Sequence, residues 1–69
     1  MAATFEDLGA RLEVIAEELA ELAHASLREA VRTGKAAASA EERQIARARR
    51  SVLKAAAILA RRADSTELD

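Results

Sequence analysis

Large apolar residues recur along the first half of the chain at Phe5, Leu8, Leu12, Ile15, Leu19 and Leu22, in steps of 3, 4, 3, 4 and 3. That spacing draws one stripe down an α-helix and has the heptad form of a packing seam. After Leu22 the same register arrives at Ser26 and Glu29, while Leu27 and Val31 fall beside it. Ala16, Ala20, Ala23 and Ala30 form a second stripe on the flank of the first. A stripe this wide predicts contact with more than one neighbouring helix. The second half repeats the design with smaller residues. Ile45, Ala48, Val52, Ala55 and Leu59 form its seam, and Leu53, Ala56 and Ala60 form its flank.

Boundary signals divide the two patterns. Thr4 followed by Asp7 is a variant of the capping box and predicts a helix from about Phe5. Gly34 can take the left-handed conformation that closes a helix, so the first helix should end near Thr33. Ser39-Ala40-Glu41-Glu42 is a second capping box and predicts a helix from about Ala40 to Ala63. This leaves a loop at 34–38 and a polar, frayed tail at 64–69. A connection of about five residues requires the helices to run antiparallel. Facing residues should then have numbers summing to about 72, pairing Leu27 with Ile45, Ile15 with Ala56 and Leu12 with Leu59. Gly9 falls near Ala63 in that register. It is expected to weaken its helical turn slightly rather than to mark a close crossing.

Composition reinforces the helical reading. Of 69 residues 19 are Ala, one is Phe, and there is no Pro, Trp, Tyr or Cys. Nothing resembles a run of β-branched or aromatic residues that would form a strand. The fold class predicted is all-α, a single antiparallel helical hairpin spanning residues 1–69. Two helices alone make a marginal core, and no disulfide or metal staple is in prospect. The hairpin is therefore expected to dimerise into a four-helix bundle. The flanking residues Ala16, Ala20, Leu27, Val31, Leu53, Ala56 and Ala60 are the expected interface. The N-terminus lacks the basic and apolar regions of a signal peptide, and no apolar run approaches the ~20 residues of a membrane span. Together with the missing cysteines, this predicts a cytoplasmic protein without a membrane partner. The Ala/Arg/Glu-rich composition is of the kind common in GC-rich bacteria and their phages.

The net charge of −1 conceals an asymmetry. Residues 1–34 hold seven acids and three bases, whereas residues 35–69 hold eight bases and five acids. On the second helix Arg43, Arg47, Arg50, Lys54 and Arg61 cluster within roughly 60° and form a ridge about 27 Å long, opposite the seam. Ile58 interrupts the ridge. Cations along a helix are most often a solvated face. They can also dock on an acidic protein or follow nucleic-acid phosphates. No aromatic residue is available beside them for base stacking, and an Ile among arginines is the composition of a protein-binding anchor. Glu6, Glu13, Glu17 and Glu21 line one side of the first helix, where a basic helix of another chain would relieve their repulsion.

Chemical equipment is sparse. Glu21 and His24 have a Glu-x-x-His spacing, which in di-iron bundles points both ligands inward. Here Leu22 and Ala23 claim the interior, so Glu21 and His24 read as a solvated pair. His24 is the single histidine. Ser26, Ser39, Ser51 and Ser65 lack the strand-turn-helix setting of a catalytic nucleophile. Glycines at 9 and 34 alone cannot build a phosphate loop. No catalytic, cofactor or metal residue is expected. The predicted function is a non-enzymatic protein-interaction module, a small regulator or inhibitor binding a larger protein. Arg43, Arg47, Arg50, Lys54, Ile58 and Arg61 are its expected contact residues. The alternatives are a small nucleic-acid-binding protein using the same ridge and a structural self-assembly subunit.

Overall fold

Helix α1 spans Phe5–Thr33 and starts where its cap permits. Thr4 is extended, its Oγ1 accepts the Asp7 N–H at 3.0 Å, and its own N–H donates to Asp7 Oδ2 at 3.4 Å. Two of the N–H groups that every helix start leaves unpaired are thereby satisfied, and Glu6 and Asp7 complement the positive end of the dipole. At the other end Gly34 has φ 69°, ψ 20°, and its N–H returns to the carbonyl of Ala30. This is the left-handed closure expected of a glycine after the last helical residue.

The computed structural model describes residues 3–34 and 38–67. Helix α2 spans Ala38–Glu67, and no strand occurs among the described residues. The protein is all-α, with two helices packed on one another. The break lies between Thr33 and Ala38, as the boundary signals require. Two expectations need correction. Ser39 is the second residue of α2, not its N-cap; the Ser39–Glu42 side-chain exchange lies outside the described residues. Nor does α2 stop at Ala63. Neither Gly nor Pro stands between Ala63 and Glu67, and the helix continues through the expected frayed segment.

The larger correction concerns which stripe of α1 packs. Its interior row is Gly9, Leu12, Ala16, Leu19, Ala23, Ser26 and Ala30, in steps of 3 and 4, all buried or half-buried. Facing it are Glu42, Ile45, Val52, Ala56, Leu59 and Ala63, also buried or half-buried. The most enclosed side chains are alanines: Ala16 is 1% and Ala56 3% exposed. Small residues let the backbones approach. A Cβ built on Gly9 would stand 3.5 Å from the Cβ of Leu59 and 3.6 Å from the carbonyl oxygen of Ala56. These are ordinary contact distances, so a methyl group would fit at Gly9 and the close approach does not require glycine; its neighbour is Leu59 rather than Ala63.

Register differs in the same sense. Gly9 meets Leu59, Arg49 reaches Ala16, and Ser26 reaches Glu41, so facing numbers sum to 65–68 rather than 72. The shift is about one to two helical turns. It leaves the last turn of α1 standing beyond the start of α2, which accounts for Val31 being 75% exposed. The pairs Leu27–Ile45, Ile15–Ala56 and Leu12–Leu59 are accordingly not the facing ones.

Candidate functional site

The hairpin is a slab of 55 × 19 × 14 Å, so nearly every residue outside the interior row reaches a surface. Three surfaces follow from the rotation of the helices about that row. The first is the outer side of α2, and it carries the expected contact residues. Arg43, Arg47, Arg50, Lys54 and Arg61 are all exposed, and none is held in an ion pair among the described residues. Arg43, Arg47 and Arg50 line a shallow concavity with Gln44 and Ala46. The ridge exists as the helical spacing requires.

Ile58 is exposed but not isolated. It shares a surface groove with Phe5, Leu59, Arg61 and Arg62. The guanidinium carbon of Arg62 lies 5.6 Å from the centre of the Phe5 ring, within cation–π reach. Packing thus brings the first residue of α1 to the far end of the ridge and makes an apolar spot flanked by two cations, so the expectation that no aromatic stands beside the cations does not hold. Nothing in the local sequence around Ile58 signals Phe5. The link appears only once the register is known.

The second surface is one broad face of the slab. Leu8, Ile15 and Leu22 lie along it at intervals of seven, 38–56% exposed, with Phe5 at one end. Glu41, Ala48, Ala55 and Arg62 form the adjoining row of α2. Two contacts place these rows on one side: Ser26 Oγ donates to Glu41 Oε2 at 3.4 Å, and Arg62 covers Phe5. Ser26 thus reaches a carboxylate across the hairpin. Most of the stripe expected to hold the hairpin together is instead its open face.

On the opposite broad face lie Ala20, Leu27, Leu53 and Ala60. Of the expected dimer residues, Ala16 and Ala56 are not on a flank at all; they are enclosed between α1 and α2. Leu27 and Leu53 are both exposed, but the register sets them about 20 Å apart along the slab. Glu6, Glu13 and Asp64 border one end of this face. His24, Arg49 and Arg50 border the other. Arg49 also crosses the hairpin, where its Nε donates to the Ala16 carbonyl at 3.3 Å. A cation on the interior row was not anticipated; its position seven residues before Ala56 is the signal that finds it.

Among the described residues no polar or charged side chain is buried. No group of three His, Cys, Asp or Glu among them is placed to hold a metal ion. Glu21 and His24 are both exposed. No helix among the described residues is long and apolar enough to cross a membrane. What this arrangement offers chemically is surface: a cationic edge with an apolar end, and two broad faces of different character. Comparison with protein-family models gave no match, and neither the curated proteins nor the solved structures contain a match to this chain.

Proposed function

We propose that this protein is a non-enzymatic interaction module, a hairpin that dimerises into a four-helix bundle and docks on an acidic surface of a larger protein through the outer edge of α2. Such a small block regulates or inhibits by covering part of its target. The observation that carries the reading is the edge itself. Five cations stand exposed along one helix with no ion pair among the described residues, and their row ends on the apolar spot of Ile58, Phe5 and Leu59. Cations around an apolar anchor suit a protein partner, because the anchor supplies affinity and the charges supply approach and orientation. Nucleic acid would use the charges and leave the anchor idle. Dimerisation is supported by the thinness of the interior, whose buried apolar side chains among the described residues are Ala16 and Ala56.

The test is capture of partners from a lysate of the native host by the wild type, by Arg47→Glu with Arg50→Glu, and by Ile58→Ala. A docking edge predicts loss of the partner in the double variant and reduced recovery with Ile58→Ala, at equal helical circular-dichroism signal. Partner recovery unchanged in the double variant would move the binding surface elsewhere. Recovered nucleic acid that falls steeply with salt and ignores Ile58→Ala would establish the other reading of the ridge.

A further inference from the structure

We infer that a second copy of this chain covers the Leu8–Ile15–Leu22 face, related by a two-fold axis that crosses the slab at the level of Ile15. This rests on the dimer reading above and specifies its geometry. Area permits it: the face measures 55 by 19 Å, about 1,000 Å², and a standard interface takes about 800 Å² from each partner. Leu8, Ile15 and Leu22 supply exposed apolar side chains along about 21 Å of its length.

Charge decides between the possible arrangements. The row of α2 on this face reads Glu41, Ala48, Ala55, Arg62. Set antiparallel against itself, it brings Glu41 to Arg62 of the second copy and Ala48 to Ala55 of the second copy. The row of α1 behaves likewise: Leu8 meets Leu22 of the second copy, and Ile15 meets its own equivalent. Arg11 and Glu18 stand on the next row outward and meet each other across the axis. The two rows were read independently, yet they demand one axis. The α2 row centres between Ser51 and Val52. With facing numbers summing to 65–68, that level on α1 is residues 14–16, which contains the α1 centre at Ile15.

The other face-to-face arrangement, with both turns at one end, sets α1 beside α2 of the second copy. At that register it sets Arg62 level with Phe5 of the second copy and Glu41 level with its Ser26, so neither charge gains an opposite one. Only the first arrangement therefore sets opposite charges against each other, Glu41 against Arg62 and Arg11 against Glu18. The overall acidic character of α1 does not oppose the first arrangement. Glu6 and Glu13 lie on the opposite broad face, and exposed charges separated by more than about 8–10 Å are largely screened in physiological salt.

The test is a charge exchange read by sedimentation. Arg11 and Glu18 are too far apart to meet within one chain, so compensation between them reports on contact between copies. The wild type should be a dimer at micromolar concentration, and Leu22→Asp should give a helical monomer. Arg11→Glu alone and Glu18→Arg alone should each weaken dimerisation on the order of tenfold, since symmetry makes two such contacts per dimer. The combined exchange should restore the dimer to within about twofold of wild type. Arg47→Glu with Arg50→Glu should leave dimerisation unchanged. A mass of 7.4 kDa at every concentration overturns both the dimer and this geometry. A dimer in which the exchange does not compensate overturns the two-fold while leaving the dimer and the docking edge intact.

Discussion

Gly9 and Leu59 meet across the hairpin with room for one methyl group between them. A Cβ on Gly9 would make ordinary contact with the Cβ of Leu59 at 3.5 Å and with the backbone of Ala56 and Ala60 at 3.6 and 3.9 Å. Glycine inside a helix costs roughly 0.5–1 kcal/mol relative to alanine. Gly9→Ala should therefore stabilise the protein by about that amount, seen as a rise in the thermal midpoint. Gly9→Val has no such room for its second and third carbons and should be less stable than Gly9→Ala.

Ala16 sets the other limit. It is 1% exposed, and its carbonyl receives Arg49 from α2. Ala16→Leu should destabilise by about 1–3 kcal/mol through overpacking. Ala25→Leu, on the exposed side of the same helix, should change stability by no more than about 0.5 kcal/mol. Denaturant midpoints for the two variants make the comparison.

Gly34 is left-handed, and a Cβ there would meet nothing within 4 Å. Its requirement is purely one of backbone. Gly34→Ala should cost about 1–2 kcal/mol. Gly34→Asn should cost less, because Asn tolerates the same conformation. A loss equal for both would point to packing at the turn instead.

Thr4 closes the start of α1 through two bonds of unequal quality, 3.0 Å to its hydroxyl and 3.4 Å from its N–H. Thr4→Ala should cost about 1 kcal/mol. Asp7→Ala, which removes only the longer bond and a favourable charge at the helix start, should cost less. Chemical denaturation of the two variants ranks them.

The ends of the helices were legible in the sequence to different degrees. Thr4 and Gly34 act through their own backbone and their immediate neighbours, so local chemistry suffices to place them. The start of α2 was read two residues late because Ser39 looked like a cap, while Ala38 offers no signal. The rotation of α1 was harder. Phe5, Leu8, Ile15 and Leu22 attract attention because they are large, but large residues are not what allows two backbones to come close. Gly9, Ala16, Ala23 and Ala30 recur every seven residues, as do Arg49, Ala56 and Ala63 on α2. On α1 a search for small residues at heptad spacing finds the packed row and a search for hydrophobic bulk finds the open face, whereas on α2 the bulky Ile45, Val52 and Leu59 are in the packed row. The ridge of α2 was read correctly as exposed because charge marks solvent more reliably than size marks the interior. Its meeting with Phe5 depended on a register that no local pattern encodes.

That register also dictates an order of assembly. Ser26 and Glu41, near the turn, are 15 positions apart, whereas Gly9 and Leu59 are 50 apart. Closing the longer loop first would cost about 1 kcal/mol more than closing the shorter. If the layers form outward from Gly34, each one adds only a few residues to a loop already closed. The hairpin therefore zips from its corner toward its termini and frays in reverse. The groove of Phe5, Ile58 and Arg62 is the last part to form, and its integrity reports that the whole length of the chain has folded.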